Sequence, residues 1–212
     1  QMNTGRAGVG GWGGECPTND LVSEYEVGDP RLVHTILSSG DIFIKSDGTE
    51  EVHDYSGYDN FSLQHSRKQY PDWSRRPIGD LQNTDWTFYH IRYADVLLMY
   101  AECLIETGDD KQKAVDLINQ VRHRAFVSST TTDSYAQYRK FNIPEENRIT
   151  EEVFNSKYKV KVSDDLKKAI RHERRVELGC EGLRLYDLLR WGIFVPTMQA
   201  FGQTAEGKYS GA

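Results

Sequence analysis

Residues 89–125 read YHIRYADVLLMYAECLIETGDDKQKAVDLINQVRHRA, and this stretch decides the fold class. Ile91, Ala94, Leu98, Ala101 and Ile105 recur at helical spacing, and Leu97 and Leu104 widen the stripe. Thr107-Gly108 ends this helix, with glycine suited to the left-handed position just past a helix end. Asp109 or Asp110 caps a second helix, whose apolar face is Ala114, Leu117, Ile118, Val121 and Ala125. A short turn between two amphipathic helices makes an antiparallel helical hairpin. Ala101 and Ala114 are small enough for the helices to approach closely, and the pattern is that of a tetratricopeptide repeat.

Working outward toward the C-terminus, residues 127–149 are rich in Ser, Thr, Tyr and Asn and contain Pro144, which reads as a long connector. Thr150-Glu151-Glu152 opens a short helix, and Lys157 to Val162 reads as extended. Ser163-Asp164-Asp165 starts another helix, with Leu166, Ala169, Ile170 and Val176 as its stripe to about Leu178. Gly182 lies near the beginning of a last helix through Leu183, Tyr186, Leu188 and Leu189, which ends around Trp191-Gly192; Pro196 is expected to stop it. These helices make a second repeat-like pair.

Toward the N-terminus the character changes. Residues 1–86 are rich in Gly, Asp, Ser and aromatics and carry little helical periodicity. Gly5, Gly8, Gly10, Gly11, Gly13 and Gly14 read as a flexible loop, an unusual opening that suggests a fragment. Asn19-Asp20 caps a short helix over Leu21 to Tyr25, and Arg31 to Leu37 reads as a short helix or strand. Ile42-Phe43-Ile44, then Ser46-Asp47-Gly48-Thr49, then Val52 is the pattern of a β-hairpin with an Asp-Gly turn. Residues 54–86 read as long loops, which in a compact protein are commonly functional. The expected fold class is therefore mainly α: tetratricopeptide-like helix pairs over 87–212 support a loop-rich, ligand-facing region over 1–86 with a short β-hairpin.

Composition narrows the function. With 38% hydrophobic and 27% charged residues over 212 positions, the chain is polar but can build a core. Its mean hydropathy is −0.65, and no stretch approaches the roughly 18 apolar residues of a membrane helix. The net charge of −6 argues against nucleic acid, which needs a basic footprint. Cys16, Cys103 and Cys180 have neither zinc nor redox spacing and read as small buried apolar residues.

Several suggestive motifs fail on context. Gly8-Val9-Gly10-Gly11-Trp12-Gly13 matches a dinucleotide fingerprint, but no strand precedes it and no helix opens from it. His172-Glu173 begins a zinc-protease pattern whose second His is replaced by Val176. Arg174, Glu177, Glu181, Arg184 and Asp187 fall three or four residues apart. Their alternating sign reads as an ion-pair network that fixes helix packing, not as a catalytic carboxylate pair; Arg92, Asp95, Glu102 and Arg122 invite the same reading. No catalytic residue, cofactor or metal ligand set is expected. The Asp-rich stretch 47–59 lacks an EF-hand pattern, which leaves calcium open.

The aromatics are the feature most suggestive of a ligand. Trp12, Tyr55, Tyr58, Tyr70, Trp73 and Trp86 lie outside the strongest helical stripes. Flat rings on loops stack on sugar faces, and neighbouring polar groups bond hydroxyls directly or through water. These six are the candidate ligand-binding residues.

Three segments resemble one family. Tyr89 to Ala125, quoted above, resembles the most typical stretch of the SusD-like (RagB/SusD) nutrient-binding lipoproteins. Ile170 to Gly192, IRHERRVELGCEGLRLYDLLRWG, resembles their second signature. Cys16-Pro17-Thr18-Asn19-Asp20-Leu21-Val22 followed by Asp29-Pro30-Arg31 resembles a third, in which a Pro-Thr pair starts a short helix. The resemblance implies an outer-membrane lipoprotein on the extracellular face. It would bind an oligosaccharide or other nutrient and hand it to a SusC-like TonB-dependent transporter, without chemistry of its own. The chain resembles the C-terminal part of such a protein, so the lipid anchor and first helix pairs would lie outside it. The family's shared motifs contain no ligand contacts; Trp12 is the first choice because it stands just before the Pro-Thr motif. The rival readings are a tetratricopeptide-type protein-interaction scaffold and a glycoside hydrolase.

Overall fold

The computed structural model describes residues 16–44, 50–52, 64–68, 89–127 and 149–209. In chain order the elements are helices α1 (Asn19–Glu24) and α2 (Arg31–Thr35), then strands β1 (Ile36–Ser38), β2 (Ile42–Ile44), β3 (Glu50–Val52) and β4 (Gln64–Ser66). Helices α3 (Tyr93–Thr107), α4 (Lys111–Phe126) and α5 (Glu151–Val153) follow. A π-helical turn, Phe154–Tyr158, continues α5, and α6 (Leu166–Glu177), α7 (Arg184–Arg190), α8 (Phe194–Gly202) and α9 (Ala205–Tyr209) complete the order. The protein is mainly helical, as its apolar spacing requires. The chain divides into two compact units, one of Glu24–Leu32 with Thr87–Leu178, the other of Gln1–Ser23, Val33–Trp86 and Gly179–Ala212.

The first unit is built on the α3/α4 hairpin with α6 packed against both. Asp110 caps α4 by accepting from the Lys113 amide at 2.8 Å. Gly108 ends α3 at φ 75°, a left-handed conformation that a side chain would strain. Ala101 and Ala114 are fully buried at the seam, and Leu97, Leu98, Leu104, Leu117, Ile118, Val121 and Ile170 fill the core around them. Each such large side chain contributes about 1.5–3 kcal/mol by leaving water. Ile91, expected in the stripe, instead precedes α3 and is exposed, because the helix starts only at Tyr93.

Thr150 caps α5 through the Val153 amide, and Asp165 caps α6 through the Lys168 amide. The extended reading of Lys157 and Tyr158 is corrected: both belong to the π turn, and extended backbone begins at Lys159. The cause is packing. Phe154 and Tyr158 both face inward and form a second core cluster with Ala125 and Phe126, the Phe126 and Tyr158 rings stacking at 4.4 Å. Beyond the turn, the Asn119 side chain holds Val160 from both sides, donating to its carbonyl and accepting from its amide at 2.9 Å each.

In the other unit, Thr18 rather than Asn19 or Asp20 caps α1, its hydroxyl accepting from the Leu21 amide at 3.2 Å. Residues 31–38 form a helix and then a strand. β1 pairs antiparallel with β4 in the register Ile36↔Ser66, Leu37↔His65, Ser38↔Gln64. β4 lies in a stretch read as loop; Gln64-His65-Ser66 has little strand propensity, and the partner strand specifies it. The hairpin is formed by β2 and β3, with Ile42 opposite Val52. Pro196 does not stop a helix: it sits in the first turn of α8, where its missing N–H is not needed.

Candidate functional site

Trp12, Tyr55, Tyr58, Tyr70, Trp73 and Trp86 lie outside the described residues. Exposed rings among the described residues include Tyr89, Tyr93 and Tyr100 on or beside α3, and Tyr186 on α7. The sequence reading passed over them because helical spacing was used to find buried faces, and the opposite face carries the same signal in reverse.

What the structure does describe is how the segment after the Pro-Thr motif is fastened. Residues 24–31 carry Glu24, Glu26, Asp29 and Arg31, and each meets an opposite charge. Arg31 holds Asp29 through its own side chain at 2.7 Å. Its Nη1 also donates to Glu173 Oε1 at 2.6 Å and lies 3.3 Å from Glu177 Oε2. Glu173 takes a second guanidinium, Arg122, on its other oxygen at 2.9 Å. Arg122 also donates to Glu26 Oε2 at 2.5 Å and, through Nε, to the Tyr158 carbonyl. Glu177 Oε1 accepts from Arg92 at 3.0 Å and Arg124 at 2.6 Å. Four guanidiniums thus meet four carboxylates in and around the helical core.

Burial presses the Arg31 guanidinium toward its neutral form, but Glu173 and Asp29 more than offset this, and its pKa is raised. Arg122 follows the same logic with Glu173 and Glu26. Hydrophobic neighbours add to this frame: the Arg31 and Arg122 guanidiniums lie over the Phe126 ring at 5.6 and 5.4 Å. His172 Nδ1 donates to Glu24 Oε1 at 2.7 Å, and its Nε2 lies 3.6 Å from Glu26 Oε2. Burial works against its charge, yet the Glu24 hydrogen bond and the nearby Glu26 and Glu173 carboxylates prevail and lift its pKa to about 9. Glu26 is correspondingly held down to about 2: burial alone would raise it, and His172 with Arg122 overcomes that. Two tyrosines tie the same segment by backbone acceptors, Tyr25 to the Val176 carbonyl and Tyr158 to the Val27 carbonyl.

The charged run of the sequence therefore pairs mainly across elements. Arg174 donates to Asp95 at 2.8 Å, with Glu102 at 3.9 Å. In the other unit Lys68 meets Glu181 at 2.6 Å and Arg190 meets Asp187 at 2.8 Å. Arg184 and Arg190 both lie over the Trp191 ring, at 5.7 and 4.9 Å. Glu177, one carboxylate of the charged run, is buried with Glu173 beneath guanidiniums. Their chemistry is to lock the 24–31 segment to α4 and α6.

The cysteines need correction. Cys103 is exposed on the outward face of α3, and Cys16 and Cys180 are half-buried. Cys180 sits at φ 62° in the turn before α7. Among the described residues no group of His, Cys, Asp and Glu is arranged to hold a metal, and no helix is long and apolar enough to cross a membrane.

This architecture is a helical hairpin with a third helix packed on it and a loop segment held to both by ion pairs. The SusD family profile matches residues 1–211, and the chain belongs to that family. SusD-like protein P2 of Formosa agariphila is 24% identical over 185 residues, which covers 85% of this chain and 32% of the relative. From the same organism, SusD-like protein P25 is 34% identical over 110 residues and P38 is 32% identical over 107. These cover 51% and 50% of this chain, and 16% and 17% of the relatives. The chain thus spans about a third of P2 and about a sixth of P25 and P38. No solved structure matches it.

Proposed function

We propose that this chain is part of an outer-membrane, surface-facing lipoprotein that binds a glycan or related nutrient and delivers it to a SusC-like TonB-dependent transporter. The observation that carries the reading is the family match along nearly the whole chain, joined by SusD-like relatives. The protein binds and performs no chemistry; its buried carboxylates serve packing. The helical unit is scaffold, and the region over residues 1–86 carries the ligand face, with Trp12 as first contact and Tyr55, Tyr58, Tyr70, Trp73 and Trp86 as further stacking rings. Polar sugars give a modest net affinity, because their binding must offset desolvation and lost freedom. The membrane is reached through a lipid anchor. A glycan-array screen of the full-length protein tests the reading. Retention of at least one glycan supports it, and failure to retain any glycan removes the carbohydrate part.

A further inference from the structure

We draw no further inference here: the strongest candidate, the exposed apolar side of helices α7 and α8 formed by Leu185, Tyr186, Leu189, Val195 and Met198, carries nothing because nothing in the structure shows what covers it.

Discussion

Arg31 and Glu173 stand 142 residues apart in the chain, yet their side chains meet at 2.6 Å with both closed to solvent. The contact joins the segment after the Pro-Thr motif to the middle of α6. Its strength comes from context: Glu173 also binds Arg122, and Arg31 also binds Asp29 and Glu177, so neither charge is left alone.

Removing one member should therefore be severe. Glu173→Ala leaves two buried guanidiniums short of a partner and is expected to destabilise by about 3–5 kcal/mol. Glu173→Gln keeps the shape but loses the charge, and should fall between the two. Urea unfolding of parent and variants measures this. A loss below about 1 kcal/mol for Glu173→Ala would mean the network contributes little.

His172 gives a pH signature. Its pKa rises from 6.5 to about 9 in the folded protein, so the stability it contributes is full below about pH 6.5 and is lost as pH rises through about 9. The contribution is about 3 kcal/mol. Glu26 supplies the acid limb: held at about 2, it contributes above its unfolded value and is lost as pH falls toward 2. Unfolding midpoints from pH 6 to 10 should decline faster for the parent than for His172→Gln. Parallel curves would contradict the assignment.

Gly28 and Tyr158 form a tight pair. Gly28 has φ +90°, and a Cβ there would stand 3.2 Å from the Tyr158 hydroxyl, which donates to the Val27 carbonyl at 2.8 Å. Gly28→Ala is expected to cost about 1–2 kcal/mol and Tyr158→Phe about 1 kcal/mol. The double variant should cost less than the sum, because removing the hydroxyl also removes the crowding. Strict additivity in a double-mutant cycle would show that the two do not touch.

The α3/α4 hairpin was legible because it is written locally: apolar spacing, small Ala101 and Ala114 in the shared core, and in the turn Gly108 ending α3 and Asp110 capping α4. Thr150 and Asp165 were readable as caps for the same reason. Features fixed by distant partners were not. β4 exists because β1 offers it an edge, and the π turn exists because Phe154 and Tyr158 must both face Phe126. Charge alternation along α6 announced ion pairing, but the partners of Glu173 and Glu177 lie on other elements and carry no local signal. Cys103 was misread because a helical pattern says which residues share a face, not which face is covered. The six candidate rings rest on composition and on the resemblance.

The central claim is binding of a glycan without turnover. It is tested most directly by calorimetric titration of the full-length protein with the glycan that the array selects. Trp12→Ala is run beside the parent, and the recovered sugar is analysed by chromatography. The account predicts saturable heat, unchanged sugar chains, and about a tenfold or greater loss of affinity in Trp12→Ala. Shortened sugar chains, or the absence of saturable binding, would contradict it.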